Sequence, residues 1–229
     1  KRLVRDFLNY NERVAQFCWL GGEPLLRPDS FFMEIKRYCD EQNTRGLAVF
    51  NSIQTNGLSL TQQRRQTLKN LGFRLGVSYD GTIDIQDAQR KTENGRSVCL
   101  RVLNNIEIAN RGVGIISVLT SKSVGREKEI YHNLKTRAKS ARINLYSPTG
   151  SGLAHVHELL PKRDDASHML VRFYELWRDD TARFDLKPTS DIVHAFFTGF
   201  VRTCEYSVIS CFNIIGSDTE GNIFTCARS

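Results

Sequence analysis

The chain has 229 residues, 40% of them hydrophobic, 25% charged and 10% aromatic, with a formal net charge of +7. That length holds one sizeable core, or one domain and part of a second, and no run of about 18 apolar residues offers a membrane span. The cations are scattered rather than clustered with aromatics, which argues against a nucleic-acid partner, and six cysteines without a secretory signal argue against a disulfide framework and for a cytoplasmic protein.

The opening KRLVRDFLNY is charged throughout and spaced as an amphipathic helix over residues 1–9, not as a signal peptide. Apolar, β-branched or aromatic runs at 15–20, 48–53, 73–79, 113–119 and 141–146 read as strands. Helical spacing fills 29–41, 61–71, 97–111 and 125–139 between them. Five strands separated by four helices predict successive βαβ units and a parallel sheet. Gly46, Gly72 and Gly112 each follow a helical stretch and precede a strand, as helix stops do.

After Ser147 the texture changes. SPTGSGLAHVHELLPKRDD is a loop rich in Gly, Pro and Ser, followed by two amphipathic helices in ASHMLVRFYELWRDDTARF and SDIVHAFFTGFVR. From Cys204 onward the pattern is short strands and turns with cysteines. A boundary near 185–203 is expected, giving domains 1–185 and 186–229. A βαβ series ordinarily begins on a strand, and this one begins on a helix and stops three residues after a cysteine, so the sequence reads as an internal piece of a longer protein.

In parallel α/β folds, ligands bind at the carboxyl ends of the strands. The first predicted strand ends in GGEP, from Gly21 to Pro24; the second in QTNG, from Gln54 to Gly57; the third in VSYDG, from Val77 to Gly81. Paired glycines let a ligand approach the backbone closely, and Pro24 fixes the turn. Exposed carbonyls and the Glu23 carboxylate suit an ammonium. Thr55, Asn56, Ser78 and Asp80 suit hydroxyls, and Arg90, twelve residues after Ser78, suits a carboxylate gripped bidentately. Together these groups describe an amino-acid nucleoside. Singly, Gly-Gly, Asn-Gly and Asp-Gly are ordinary turn pairs.

Cys18, Cys39 and Cys99 lie in or beside apolar runs and read as small buried hydrophobes. Cys204, Cys211 and Cys226 differ: nine residues separate Cys211 from Gly221, and four separate Gly221 from Cys226. Thiolates at this spacing suit zinc or an iron–sulfur cluster, and spacing alone does not choose. His155 and His157 form a His-x-His pair in a loop with no third ligand nearby. His132, His168 and His194 fall on helices, and Asp191 and Asp218 have no partner visible in sequence.

FCWLGGEPLL, NSIQTNGLSL and GVSYDGTIDIQDAQRKTENGRS resemble the radical S-adenosylmethionine enzymes. The resemblance is to the subgroup with a C-terminal SPASM domain, the anaerobic sulfatase-maturating enzymes and related peptide maturases, and it runs from about Phe17 to Cys226. It implies a partial (β/α)6 TIM-like barrel, here without its first strand and cluster loop, followed by the start of a SPASM or twitch domain. It implies S-adenosylmethionine as cofactor. Gly21, Gly22 and Glu23 match the motif that holds the methionine amino group. Ser78 and Arg90 match residues holding the ribose and the methionine carboxylate, and Gln54, Thr55 and Asn56 match a strand-end motif lining the active site. The family's Cys-x3-Cys-x2-Cys motif, which binds the catalytic [4Fe–4S] cluster, is absent from these residues; in relatives it lies upstream of the GGEP strand, so truncation is the expected explanation. Cys-x9-Gly-x4-Cys matches the opening of the auxiliary-cluster domain, which makes Cys204, Cys211 and Cys226 expected ligands of an auxiliary [4Fe–4S] cluster.

The chemistry the resemblance implies is reductive cleavage of S-adenosylmethionine and hydrogen abstraction from a residue of a bound peptide or protein, with a one-electron reductant such as flavodoxin or ferredoxin as partner. In formylglycine-forming relatives an aspartate follows the third auxiliary cysteine. Ala227 stands there instead, and an alanine accepts no proton. The expected function is therefore maturation of a ribosomal peptide, for instance by cross-linking. Formylglycine formation from Cys or Ser is the alternative, and a non-catalytic barrel that binds a peptide or cofactor is the second. No residue is assigned a catalytic proton-transfer role from sequence.

Overall fold

A computed structural model of the chain describes residues 1–90, 96–182, 184–201 and 214–224. The expected alternation is present. Helix α1 (Arg2–Tyr10) leads into β1 (Val14–Trp19), followed by α2 (Asp29–Gln42), β2 (Ala48–Thr55), α3 (Gln62–Asn70), β3 (Phe73–Ser78), α4 (Ile83–Gln89), α5 (Cys99–Ile108), β4 (Gly114–Leu119), α6 (Glu127–Arg137) and β5 (Ser140–Leu145). Beyond these lie α7 (Val156–Leu159), α8 (Arg163–Arg178), β6 (Asp185–Lys187), α9 (Thr189–Thr198) and a two-stranded antiparallel pair, β7 (Gly216–Ser217) and β8 (Ile223–Phe224). Strands β1 to β6 follow one another in chain order in a six-stranded sheet, so the fold is α/β. The chain divides into two compact units, residues 1–79 with 86–115, and residues 80–85 with 116–229.

In the first unit β1, β2 and β3 pair in parallel, with Cys18 opposite Ser52 and Gln54 opposite Gly76. Side chains alternate across a strand, so in-register residues share a face. One face carries Ala15, Ile53, Phe73, Leu75 and Val77, all buried. The other carries Cys18, Ser52, Gln54, Arg74, Gly76 and Ser78 and is polar. Edge-to-face and stacked rings run through Phe7, Phe17, Trp19, Phe31, Phe32 and Phe73 with centroids 5.4–6.5 Å apart. Each such contact contributes about 0.5–1.5 kcal/mol beyond burial, which fixes α1 and α2 against the strands that deliver GGEP and QTNG.

In the second unit β5 and β6 pair in parallel, Arg142 opposite Lys187. Helices α6 and α8 are joined through Asp180, which accepts from the Tyr131 hydroxyl at 2.7 Å and from Lys135 at 2.6 Å.

Several sequence expectations are revised. A sixth strand, β6, lies where only a boundary was expected; three residues, DLK, are too few to show a period. Helix α4 was not expected at all. Cys39 and Cys99 are buried as expected, and burial pushes the Cys39 thiol up, but Cys18 is exposed because it alternates onto the polar face of β1. Gly112 does not take the left-handed conformation of a helix stop. Asn110 and Arg111 take it instead, while a Cβ at Gly112 would lie 2.8 Å from the Ala109 carbonyl oxygen. The segment expected as a loop after Ser147 winds into a 3₁₀ turn (Gly150–His155) and α7, which hold His155 and His157.

Candidate functional site

The GGEP turn leaves β1 through two residues with positive φ, +98° at Gly21 and +53° at Gly22, and no atom lies within 4 Å of where a Cβ would stand at either. Left-handed backbone costs a side-chain-bearing residue about 1–2 kcal/mol, so glycine is required by conformation, and the space above it stays open. Both glycines are exposed. A short 3₁₀ turn, Pro24–Leu26, follows, with Glu23 as its cap.

Glu23 is the centre of the arrangement. Its Oε1 accepts from the Leu25 N–H at 2.9 Å and from the Thr55 hydroxyl at 2.6 Å, and its Oε2 accepts from the Asn56 N–H at 2.7 Å. A carboxylate has about four acceptor positions, so these three donors fix its orientation and leave about one position for a further donor. The carboxylate thus latches the end of β1 to the end of β2. Thr55, buried at 2% exposure, also accepts from the Gly57 N–H at 3.1 Å, and Asn56 Oδ1 accepts from the Leu58 N–H at 2.9 Å. QTNG is therefore a folded loop whose second residue, Thr55, faces Glu23.

Gln54 lies on the polar face. A Cβ at Gly76 would stand 2.2 Å from Gln54 Oε1, so Gly76 makes room for that amide, whose Nε2 donates to Ser78 Oγ at 3.1 Å. With its oxygen accepting from Gln54, the Ser78 hydroxyl proton is directed elsewhere. Arg90 is half-buried at the end of α4, its N–H on the Gln86 carbonyl at 2.8 Å. The structure thus brings Glu23, Thr55 and Asn56 together, and Gln54 and Ser78 together, within the first unit.

Asp80 belongs to the second unit and is 0% exposed; its Oδ1 accepts from the Val118 N–H of β4 at 2.9 Å. A wholly buried carboxylate that accepts from the backbone of β4 braces the turn. Next to it, Gly81 has φ +94°, and a Cβ there would lie 2.6 Å from Ile130 Cγ2. Asp191 and Asp218, without partners in sequence, are engaged in the structure. Asp191 is 4% exposed beside Lys187 at 2.9 Å and Arg142 at 3.8 Å. Asp218 accepts from the Glu220 and Asn222 N–H groups and the Asn222 amide, and that amide holds its carboxyl below the usual range.

Three residues that sequence reasoning missed support the site. Asn105, buried on α5, donates to the Gly57 carbonyl at 2.8 Å and holds the QTNG loop from behind. Gln86 donates to the Ser78 carbonyl at 3.4 Å, tying α4 to the end of β3. Asp87 accepts from the Val98 and Cys99 N–H groups at 3.2 Å each and from the Ser97 hydroxyl at 2.5 Å, so it caps α5 from three residues before Arg90. A carboxylate in an amphipathic segment carries no local signal of a partner ten or more residues away.

The open glycine pair and the fixed carboxylate fit the amino end of an amino-acid nucleoside: backbone can be approached at van der Waals distance, and a negative group is already aimed and held. For a metal, no group of three or more His, Cys, Asp or Glu side chains is assembled among the described residues. Cys204, Cys211, Cys226 and Ala227 lie outside the described residues. No helix among them is long and apolar enough to cross a membrane.

No family model matches the chain. It is 28% identical, over 98% of its own length and 62% of the relative's, to a cysteine-type anaerobic sulfatase-maturating enzyme of Clostridium novyi (strain NT). It is 24% identical, over 93% of its length and 54% of the relative's, to a serine-type anaerobic sulfatase-maturating enzyme of Klebsiella aerogenes. Among solved structures it is similar to native anSMEcpe with bound AdoMet and Kp18Cys peptide, with a TM-score of 0.83 at 21% identity, covering 98% of this chain and 64% of that one. The chain spans less than two thirds of the length of each of these relatives.

Proposed function

We propose, from a chain homologous over nearly its whole length to the anaerobic sulfatase-maturating enzymes, that the protein is a radical S-adenosylmethionine enzyme acting on a residue of a ribosomally made peptide. The observation that carries this reading is the latch at Glu23, where open left-handed glycines and a carboxylate held by Thr55 and Asn56 stand at the ends of two adjacent parallel strands. Cleaved reductively with an electron from a [4Fe–4S] cluster, S-adenosylmethionine would supply hydrogen-atom abstraction. The chain's own residues bind and orient. Gly21 and Gly22 offer bare backbone and Glu23 a charge to the methionine ammonium. Ser78, its oxygen satisfied by Gln54, offers its proton to a ribose oxygen. Arg90, its backbone N–H held on the Gln86 carbonyl, offers a planar fork to the methionine carboxylate. This orientation is what the protein adds to chemistry the cofactor carries.

The reading includes a partial (β/α)6 barrel over residues 1–185 and the start of an auxiliary-cluster domain over 186–229. Cys204, Cys211 and Cys226 would be ligands of an auxiliary [4Fe–4S] cluster, and a flavodoxin or ferredoxin the reductant. Ala227 favours a peptide modification other than formylglycine, since Asp191 and Asp218 are both already engaged and offer no ready substitute base. The second reading, formylglycine formation, is favoured by the named activity of the relatives.

One experiment separates them. The full-length, anaerobically reconstituted protein is given a chemical reductant and either a sulfatase-type Cys peptide or a precursor peptide encoded beside its gene. Release of 5′-deoxyadenosine with loss of two hydrogens from the precursor is expected. Aldehyde in the sulfatase peptide at a comparable rate supports the second reading, and no 5′-deoxyadenosine with either peptide overturns both.

A further inference from the structure

The turn that carries Glu23 has a second side. Downstream of it opens a cavity of about 560 Å³ lined by Arg27, Arg64 and Arg101, with Ser59, Thr61 and Gln63 between them. Its walls come from the segment after β1, the loop after β2, and helices α3 and α5, all in the first unit. Leu26 on its rim is three residues from Glu23, so their Cα atoms lie within about 11 Å of each other.

The three guanidiniums do different work. Arg64 is already committed. Its Nη1 and Nη2 donate to the carbonyls of Leu25 and Arg27, and its Nε lies 2.8 Å from Asp29 Oδ1 but out of hydrogen-bond alignment. It fixes the shape of the rim and cancels the one carboxylate in the lining. Arg101 is exposed and makes no hydrogen bond or ion pair among the described residues, and the Arg27 guanidinium rests only over the Phe31 ring at 5.7 Å. Two uncommitted guanidiniums therefore face a cavity whose remaining polar groups are two hydroxyls and an amide. That is a site for paired carboxylates: planar forks match carboxylates bidentately, and the hydroxyls add donors.

We infer that this cavity binds an acidic segment of the peptide substrate, flanking the residue that reacts. The inference rests on the proposed function for the existence of a peptide substrate. Size favours a peptide over a folded acidic protein. A stable protein–protein contact needs on the order of 800 Å² from each partner, whereas a concave cavity of this volume takes a few side chains. Position favours it as well, since the segment that seats the acidic flank is continuous with the segment that carries Glu23.

The test uses the full-length, cluster-loaded protein and three fluorescently labelled decapeptides of Gly and Ala carrying a central Glu-Glu, Gln-Gln or Lys-Lys pair, with binding read by anisotropy at fixed ionic strength. The Glu-Glu probe is expected to bind in preference to the other two. Arg27→Gln/Arg101→Gln should weaken it by about tenfold or more, as expected for lost charge-assisted hydrogen bonds. Arg74→Gln, which removes a cation elsewhere on the same unit, should leave it near wild type. Equal loss in the Arg74 variant would mean general attraction to a basic protein and overturn the assignment, as would equal binding of all three probes. Unchanged probe binding in the double variant, with slower electron delivery from an acidic flavodoxin, would make the cavity a protein dock and also overturn it. S-adenosylmethionine affinity measured on the same wild-type sample separates the two levels: its absence would sink the proposed function while leaving the peptide result standing.

Discussion

The turn after β1 and the turn after β3 are written in the same letters, glycine beside a carboxylate at the end of a parallel strand, and they fold to opposite ends. At Gly21 and Gly22 the left-handed backbone has empty space where side chains would be, and Glu23 reaches across to the neighbouring strand's loop. At Gly81 the same kind of backbone is pressed against Ile130, and Asp80 is sealed at 0% exposure on the backbone of β4. Two glycine–carboxylate motifs thus do two jobs, one presenting backbone outward and the other closing a corner. What separates them is whether the volume of a missing Cβ is filled, and a sequence does not record that.

Substitution at the two glycines should break the comparison most visibly. Gly81→Ala adds left-handed strain of about 1–2 kcal/mol to overpacking of about 1–3 kcal/mol against Ile130, and urea unfolding of the full-length protein should show the sum. Gly21→Ala should cost stability only the strain, while lowering S-adenosylmethionine affinity. If both variants lose the same stability, the difference in packing has been misjudged.

The carboxylates should differ next. Asp80→Ala leaves the part-buried Val118 N–H without this partner, a loss of about 1–3 kcal/mol in unfolding free energy. Thr55→Val removes one of the three donors to Glu23, and should reduce cofactor affinity by about 0.5–1.5 kcal/mol. An isothermal titration curve that overlays the wild type would mean that Thr55 does not orient Glu23.

The smallest effect concerns pH. Asp84, three residues beyond Gly81, is paired with Arg126, and the hydrogen bond from that guanidinium pulls its carboxyl from 3.8 down to about 2. A depressed folded value contributes stability that is present above the unfolded value and is lost as pH falls from about 4 toward 2. The Asp84 side chain is 65% exposed, so solvent screens the pair and the slope is shallow. Asp84→Asn should flatten this part of the acid-unfolding profile and leave the rest unchanged.

The βαβ alternation was readable because each strand and helix shows its period within its own residues. The strands expected at 15–20, 48–53 and 73–79 are observed at Val14–Trp19, Ala48–Thr55 and Phe73–Ser78. Three-residue β6 has no period to read, and α4, at seven residues, has little. At the site, Gly21, Gly22 and Glu23 announced a turn, but not that Thr55 and Asn56, more than thirty residues on, would satisfy the carboxylate. Asn105 and Asp87 were invisible for the same reason. The partners of Asn105, and two of the three of Asp87, are backbone groups, and backbone groups have no letter in a sequence.

The central claim is that the latched turn at Glu23 receives the methionine end of S-adenosylmethionine. Isothermal calorimetry of S-adenosylmethionine on the full-length, cluster-loaded protein tests it directly, with wild type compared with Glu23→Ala and Arg90→Ala and folding checked by circular dichroism. Each substitution should weaken binding by about 1–3 kcal/mol, roughly 5- to 150-fold, with Arg90→Ala at the upper end because a bidentate partner is lost. Wild-type affinity in both folded variants would contradict the account and reduce both motifs to turns.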